Sequence, residues 1–257
     1  MFRSPLLCAF DASGRYFVSV TSDNRLKLWD VATGNLLQHF QDKHLTINYT
    51  AIAYSLATPA TQQKKKSSAA AATNSSPSLG HVALGSKSGG ISLFNLTTGD
   101  VSHVSSTTGQ PHTSPVLSLT FHHNTTQLLS TAADATLHTY AFPSLTLLSS
   151  STCAASVQLL QPLPSSADEL LAAMGSALAV VDVSGGGSAS GGEGTGVAVK
   201  KRYAPLADDI VSVDVTSDGK LFATGTVTRI SRTHQHCPSL GYCFDVHADD
   251  GGEAERQ

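Results

Sequence analysis

The chain has 257 residues, a formal net charge of −3 at pH 7 and a charged fraction of 14%. This length allows one large domain or two small ones, and the near-neutral charge gives no global electrostatic reason to bind nucleic acid or a membrane surface. No apolar run reaches the roughly 18 residues of a membrane span, and no secretory signal is evident. We therefore expect a soluble intracellular protein, whose four cysteines are scattered in the manner of reduced thiols: Cys8, Cys153, Cys237 and Cys243.

A sequence unit recurs in register along the first half of the chain. Residues 8–35 and 119–140 align without a gap, and residues 81–100 form a third copy. The first two copies match Phe10 with Phe121, Ser19 with Ser130, Asp23 with Asp134, and Trp29 with Tyr140. Self-similarity at roughly 40 residues per copy predicts an all-β fold, a β-propeller built from four-stranded blades.

The predicted blades follow one another along the chain. They cover about residues 5–43, 44–104, 112–152 and 155–205, and a further blade starts at 208–226. Turn residues separate short β-type runs in each blade. We expect eight apolar residues to pack between blades: Phe10, Val18, Leu28, Val82, Leu93, Phe121, Leu129 and Leu137.

Two inserts and a tail interrupt the pattern. Residues 57–79 have no hydrophobic period and 184–196 are rich in glycine and serine, so we interpret both as flexible loops. Beyond Thr226 the repeat fails, and 227–257 is predicted to be an irregular tail. The chain is thus expected to hold an incomplete WD-repeat propeller over 1–226, about four to five blades of a ring that usually needs about seven.

The third blade places four polar residues where WD-repeat proteins have a hydrogen-bonded structural tetrad: His112, Ser130, Asp134 and Tyr140. A His–Ser–Asp set also suggests a hydrolase triad. Part of the set recurs in the first blade as Ser19, Asp23 and Trp29, and Ser130 lacks a glycine-flanked elbow. A repeated set favours the structural role, and no catalytic, cofactor-binding or metal-binding residue is predicted.

Three other segments suggest weaker possibilities. The segment from His234 to His247 contains histidines and cysteines, but their spacing fits no common zinc site. The glycines of 185–196 lack the lysine and flanking elements of a phosphate loop. Lys64, Lys65 and Lys66 are a candidate RNA contact or nuclear address, although charge alone favours a solvated loop. Lys200, Lys201 and Arg202 form a second basic cluster.

Three stretches carry a family resemblance: PLLCAFDASGRYFVSVTSDNRLKLWDVATGNLLQHF, HLTINYTAIAYS and, after a Lys-rich insertion, HVALGSKSGGISLFNLTTGDV. With its blades placed, the chain resembles the N-terminal propeller of the WD repeat-containing protein 43 family, which includes yeast Utp-five. The resemblance is close over 5–140, loose over 155–226 and absent from the tail.

The resemblance implies a non-catalytic nucleolar scaffold of the small-subunit processome, acting in transcription and processing of pre-ribosomal RNA. The implied partners are other WD-repeat processome proteins and pre-ribosomal RNA, with no membrane and no small-molecule substrate. A generic WD-repeat adaptor of another intracellular complex is the alternative. A propeller hydrolase is the third hypothesis, and it would need a unique cleft constellation that the sequence lacks.

Overall fold

The computed structural model describes residues 7–11, 13–21, 25–40, 48–55, 79–104, 111–122, 126–164, 166, 168–183, 198–206 and 208–226, and the backbone of 232–235 and 245–247. All the regular secondary structure within these residues is β-strand. The strands form five antiparallel four-stranded sheets in which consecutive strands are neighbours. Each sheet is therefore a meander of local hairpins, which is the construction of a propeller blade.

The blades are built from consecutive strands as follows. Blade one holds β1 (Leu7–Phe10), β2 (Tyr16–Val20), β3 (Leu26–Asp30) and β4 (Leu36–Phe40). Blade two holds β5 (Tyr49–Tyr54), β6 (His81–Ser86), β7 (Ile91–Asn95) and β8 (Val101–His103). Blade three holds β9 (Val116–Phe121), β10 (Gln127–Ala132), β11 (Thr136–Ala141) and β12 (Thr146–Thr152). Blade four holds β13 (Leu159–Pro162), β14 (Glu169–Met174), β15 (Ala177–Asp182) and β16 (Ala198–Arg202). Blade five holds β17 (Ile210–Val215), β18 (Leu221–Thr226), β19 (Arg232–Gln235) and β20 (Asp245–His247).

The turn between the third and fourth strands uses the same chemistry in blades one and two. The Asp30 carboxylate accepts a hydrogen bond from the Thr33 amide at 2.9 Å, and the Asn95 side-chain oxygen accepts one from Thr97 at 2.9 Å. Gly34 and Gly99 then take φ angles of +70° and +81°, a conformation that glycine adopts without steric cost. The recurring TG dipeptide of the sequence is therefore a repeated hairpin turn.

Apolar side chains buried between neighbouring blades form the core. The first strand of each blade packs against the first strand of the next, from β1 through β5, β9 and β13 to β17. Four clusters fill the four gaps between successive blades. Seven of the eight residues predicted to pack between blades belong to these clusters: Val18, Leu28, Val82, Leu93, Phe121, Leu129 and Leu137.

The eighth of these predictions, Phe10, is wrong, because this side chain is 59% exposed. Phe10 lies on the side of blade one that faces away from blade two, and no described blade covers that side. Strand burial shows the same effect. Strand β10 is buried over five consecutive residues in the middle of the stack, whereas β1 and β18 at its two ends alternate between more and less exposed positions.

The irregular tail predicted for 227–257 also needs correction. Strands β19 and β20 lie within it and complete the fifth sheet, with Phe222 paired to His234 and His234 to Asp245. Backbone N–H and C=O groups on the outer edge of β18 require partners, and a neighbouring strand supplies them whatever its side chains are. Because backbone pairing does not require apolar side chains, the hydrophobic pattern of the sequence does not reveal these two strands. The other four sheets fall within the predicted blade ranges.

The inter-blade core predicts a sharp contrast within blade one. Leu28 is fully buried between blades one and two, whereas Leu37 on the outer strand is 44% exposed. We expect Leu28→Ala to lower the free energy of unfolding by about 2–5 kcal/mol through lost burial and a cavity. Leu37→Ala should change it by less than about 1 kcal/mol. Urea unfolding followed by circular dichroism measures both, and equal effects would contradict this account of the core.

Candidate functional site

The four polar residues singled out in blade three come from four positions on its inner half. His112 lies before β9, Ser130 on β10, Asp134 in the turn between β10 and β11, and Tyr140 on β11. The backbone around Gly89 holds the His112 segment, since the His112 amide donates to the Gly89 carbonyl at 3.2 Å. A Cβ at Gly89 would collide with the His112 carbonyl oxygen. Glycine at position 89 therefore permits the close approach of blade two to the segment that carries His112.

The structure brings these side chains into one hydrogen-bonded chain. His112 Nε2 lies 2.7 Å from Ser130 Oγ, and His112 Nδ1 lies 2.8 Å from Thr136 Oγ1. The Thr136 hydroxyl donates to the Asp134 carboxylate at 2.5 Å. At the other end, Ser130 is hydrogen-bonded to Tyr140, whose hydroxyl lies 3.0 Å from His138 Nδ1.

Donor and acceptor capacities fix where the His112 proton lies. Because the Thr136 hydroxyl gives its hydrogen to Asp134, its oxygen can only accept from His112 Nδ1. Neutral His112 therefore carries its proton on Nδ1, and Nε2 accepts from the Ser130 hydroxyl. Bonds aligned in this way polarise one another and strengthen the chain.

The charges of the site are set by burial and by these bonds. Burial, together with the stacked His138 ring 4.1 Å away, lowers the pKa of His112 from 6.5 to about 4, against a smaller opposing effect of Asp134. Burial alone would raise the pKa of Asp134, but hydrogen bonds from Thr136 and Thr113 outweigh it and bring this pKa to about 2. Burial also raises the pKa of Tyr140. At neutral pH the site is a neutral imidazole held near an ionised carboxylate.

This arrangement is a buried hydrogen-bonded network within blade three. Ser130 and Tyr140 are fully buried, and His112 is 3% exposed. Ser130 Oγ lies in the middle of a central strand, so no substrate carbonyl can reach it. The Asp134 carboxylate instead ties the turn to the segment before β9, because it accepts from the Thr113 amide at 3.0 Å and from the Thr136 amide at 3.1 Å.

Blade one contains part of the same set. The Trp29 indole Nε1 donates to Ser19 Oγ at 3.1 Å, across the pair of strands that corresponds to β10 and β11. Asp23 lies outside the described residues, as do Lys64, Lys65 and Lys66.

Sequence reasoning missed three members of the blade-three network: Thr113, Thr136 and His138. Two signals were present. Thr136 follows Asp134 by two residues, the spacing at which an Asp side chain caps its own turn. His138 lies two residues before Tyr140 on the same strand, so both side chains point to the same face.

The second basic cluster lies on β16, and one of its three cations, Lys200, is paired with carboxylates. Lys200 Nζ lies 2.7 Å from Asp182 and 2.8 Å from Glu169, and its hydrogen bonds to these two carboxylates raise its pKa. Lys201 lies over the Tyr203 ring at 4.9 Å from the ring centre. Lys200 and Lys201 therefore both make contacts with neighbouring residues of the chain.

An apolar cavity of about 240 Å³ lies between blades three and four. It is lined mainly by aliphatic side chains such as Leu137, Leu160 and Val181, and its polar members are Thr152, Cys153 and Arg202. Cys153 is a free thiol whose pKa is raised by burial. The lining contains no carboxylate or imidazole, so the cavity offers no acid–base pair.

Among the residues whose side chains are described, no group of three or more His, Cys, Asp or Glu is placed to hold a metal ion. The side chains from His234 to His247 lie outside this set. The described part of the chain also contains no helix that could cross a membrane.

Comparisons with known proteins agree with the fold. The family described as WD domain, G-beta repeat matches residues 7–30 and 103–140, which include the blade-three network. A chain in the crystal structure of the Mitotic Checkpoint Complex is similar with a TM-score of 0.65 and 13% identity, covering 95% of this chain but 66% of that one. The present chain thus spans less than two thirds of the length of that neighbour. No curated protein matches the sequence.

These findings define the class: the chain has an all-β WD-repeat propeller fold, of which the described residues form five blades. A total of 1494 chains of solved structures are similar to it, so the likeness identifies an architecture shared by many proteins. The repeat match and this likeness show the fold of the chain.

Asp134 provides the first test of the network. Asp134→Ala would leave the Thr113 amide and the Thr136 amide and hydroxyl without their acceptor, so we expect unfolding to require about 2–3 kcal/mol less. Asp100→Ala is the matched control, because the Asp100 carboxylate binds Thr98 in an exposed turn, and it should change stability by about 0.5 kcal/mol or less. Urea unfolding measures both variants. Similar values for the two would refute a bracing role for Asp134.

The lowered pKa of His112 predicts a pH dependence of stability. The unfolded chain binds a proton at this residue near pH 6.5, while the folded protein resists protonation until about pH 4. The stabilisation from this residue is thus complete above pH 6.5 and is lost as the pH falls toward 4. Over this range the loss should be roughly 3 kcal/mol.

His112→Gln keeps a donor and an acceptor but has no titration, so its unfolding free energy should fall less steeply between pH 7 and pH 5 than that of the unaltered protein. Asp134 does not interfere in this window, because its pKa of about 2 lies below it. Parallel pH profiles for the two proteins would contradict the assignment of a neutral buried imidazole.

Proposed function

We propose that this protein is a non-catalytic scaffold of the small-subunit processome, acting in transcription and processing of pre-ribosomal RNA (18S maturation) through protein and RNA binding. The observation that carries the non-catalytic part is the burial of His112 and Ser130, which are hydrogen-bonded to each other within blade three. The same residue types in an open cleft would suggest catalysis, whereas here they hydrogen-bond to one another inside the sheet.

The blade architecture supports a scaffolding role. Blades arranged as in a propeller present loops on the top and bottom faces and outer strands around the rim. Each of these surfaces can contact a different partner. Outer strands β4 and β12 expose apolar side chains at the rim, with Leu37 at 44% and Leu148 at 54% exposure. Simultaneous binding of several components raises their effective concentration for one another.

The processome assignment is supported by the resemblance of residues 5–140 to the WD repeat-containing protein 43 family, including the basic insert in the second blade. Under this proposal the protein works in the nucleus and nucleolus beside other WD-repeat subunits. Lys64, Lys65 and Lys66 are the proposed RNA contact, since a cluster of lysines can neutralise phosphates without reading bases. The lysine at position 200 is a poor candidate, because two carboxylates already bind it.

The alternative is an adaptor that binds protein partners in another intracellular complex. The rim and loop surfaces support this adaptor function equally well, because they could bind protein partners without any RNA. The two functions differ in what the basic insert does, and that difference can be measured.

Affinity purification of the tagged chain from cells, with sequencing of bound RNA and identification of bound proteins, tests the proposal. We expect enrichment of pre-ribosomal spacer RNA and of WD-repeat processome proteins. Replacement of Lys64, Lys65 and Lys66 by alanine should lower RNA recovery several-fold and reduce its salt dependence, because each neutralised phosphate contributes to the salt slope.

Lys220→Ala is the control for this experiment, since its side chain is 73% exposed and lies in a turn of blade five. It should leave RNA recovery unchanged. Recovery of cytosolic partners without pre-ribosomal RNA would exclude the processome role and support the adaptor.

A further inference from the structure

The cavity between blades three and four lies where blade four lacks the polar network of blade three. The two blades share one strand register, in which Tyr140 and Val181 pair with the second residue of β10 and of β14. Ser130 and Ala172 are the fourth residues of the same two strands. The tyrosine and serine positions of the network are therefore occupied in blade four by valine and alanine.

Cys153 takes the position of His112. The His112 amide donates to the Gly89 carbonyl in a turn of blade two, and the Cys153 amide donates to the Ala135 carbonyl in a turn of blade three at 2.7 Å. Gly89 and Ala135 are equivalent, since each has a positive φ and donates its own amide to the carbonyl three residues earlier. The chain thus enters blades three and four in the same way, but it brings an imidazole to one and a thiol to the other.

The cavity is the space that these smaller residues leave. All three line it: Cys153, Ala172 and Val181. In blade three the same positions carry two rings and a hydroxyl that are buried and hydrogen-bonded. The volume of about 240 Å³ exceeds that of an apolar cavity of about 150 Å³ that takes up benzene in another protein. One aromatic ring therefore fits, and filling apolar space of this kind is favourable because cavities cost stability.

The lining divides into a buried apolar floor and an exposed mouth. The floor includes Leu137, Val157 and Leu160, which are each 5% exposed or less. The exposed residues form the mouth: Thr152, Ala154, Val199 and Arg202. A group that enters from solvent can therefore bury an apolar part against the floor while its polar part stays at the mouth.

Arg202 gives the mouth a positive charge. Lys200, two residues earlier on β16, is bound by Asp182 and Glu169. Arg202 has no ion pair among the residues that the structure describes. A guanidinium presents a planar set of donors that matches a carboxylate. The mouth therefore favours a ligand that carries a carboxylate close to its apolar group.

The mouth also lies beside strand edges that a peptide can use. Thr152 and Arg202 belong to β12 and β16, which are the outer strands of their sheets and have no further described strand beside them. The backbone N–H and C=O groups of such an edge can pair with an extended segment of another chain. A segment held there directs alternate side chains toward the gap between the blades. These edges favour a protein segment over a free small molecule.

We propose that the cavity between blades three and four binds an extended acidic segment of a partner protein. The segment inserts one aromatic side chain into the cavity and places a carboxylate beside Arg202. The inserted ring takes the kind of space that the rings of His112 and Tyr140 fill in blade three. The inference rests on the scaffolding part of the proposed function and specifies the chemistry of one partner. It requires neither RNA nor the lysines at 64–66.

Model peptides test the ligand chemistry. The probe is the N-acetylated, C-amidated peptide Ser-Asp-Phe-Asp-Ser, titrated calorimetrically against the full chain. It should bind about tenfold or more tightly than the version with alanine in place of phenylalanine, because the ring supplies the buried apolar contact. The version with asparagine in place of both aspartates should bind several-fold more weakly, because it loses the charge-assisted contact with Arg202.

Cys153 reports whether the peptide occupies this cavity. Saturating peptide should slow alkylation of Cys153 by iodoacetamide several-fold, because the ring covers the thiol. Alkylation of Cys8 should keep its original rate, since this thiol is exposed on blade one. Mass spectrometry of proteolytic fragments measures the two cysteines separately in the unaltered protein.

Filling the cavity should remove the site. A double variant with Ala172→Ser and Val181→Tyr gives blade four the serine and tyrosine of blade three. It should lower peptide affinity by about tenfold or more and still unfold cooperatively in urea, because the same pair packs without exposure in blade three.

Arg202→Gln is a second variant that does not depend on repacking, because the side chain is exposed. It should weaken binding of the acidic peptide several-fold and leave binding of the asparagine version unchanged. Lys201→Gln is the matched control. It removes a neighbouring cation that lies over the Tyr203 ring, and both affinities should stay unchanged.

Four outcomes would overturn the proposal. They are no binding of the phenylalanine peptide up to millimolar concentration, equal binding of its alanine version, equal protection of Cys8 and Cys153, and tighter binding of free 3-phenylpropanoate than of the peptide. The last would show a site for a small carboxylate instead of a protein segment.

Purification of the tagged chain separates these failures from a failure of the proposed function. Arg202→Gln should leave recovery of pre-ribosomal RNA unchanged, and replacement of the lysines at 64–66 should leave peptide binding unchanged. Loss of peptide binding with normal RNA recovery would therefore refute the cavity site alone.

Discussion

Burial of apolar side chains between neighbouring sheets is the interaction on which this structure depends. A four-stranded meander has two faces, and a single blade cannot bury both of them. In blades two, three and four each face meets another blade, so their central strands are buried over four or five consecutive residues. Among the described blades, blades one and five have one neighbour each, and their first strands are less buried. The stability of each blade therefore depends on how many of its faces another blade covers.

The polar network of blade three is also a consequence of burial between blades. A sheet covered on both sides has little solvent to satisfy a hydroxyl or imidazole, so most of its buried polar atoms find partners within the fold. His112, Ser130 and Tyr140 obtain theirs from one another, and Asp134 closes the chain through Thr136. Because the network links the segment before β9 to the turn after β10, it fixes the blade to the loop that approaches blade two.

Several features followed directly from the sequence. The repeat of residues 8–35 at 119–140 was sufficient to predict four-stranded blades and an all-β propeller, a fold that the WD-repeat match and the structural likeness confirm. Alternation and turn residues located the strands of blades one to four, since hairpins are local and their signals lie within a few residues. The weaker signal of blade five failed where β19 and β20 pair through backbone groups. Thr136 and His138 escaped notice because their partners depend on how strands and turns meet in space.

The repeated unit and the order of its hairpin strands could thus be predicted from the sequence, because they depend on contacts between residues close in the chain. Which apolar residues became core depended on how the blades pack against one another. Phe10 and Phe121 occupy the same position of the repeat, yet Phe10 is 59% exposed and Phe121 is 9% exposed. The difference is that blade two covers Phe121, whereas no described blade covers Phe10. The residue pattern within a single repeat does not indicate whether a neighbouring blade is present.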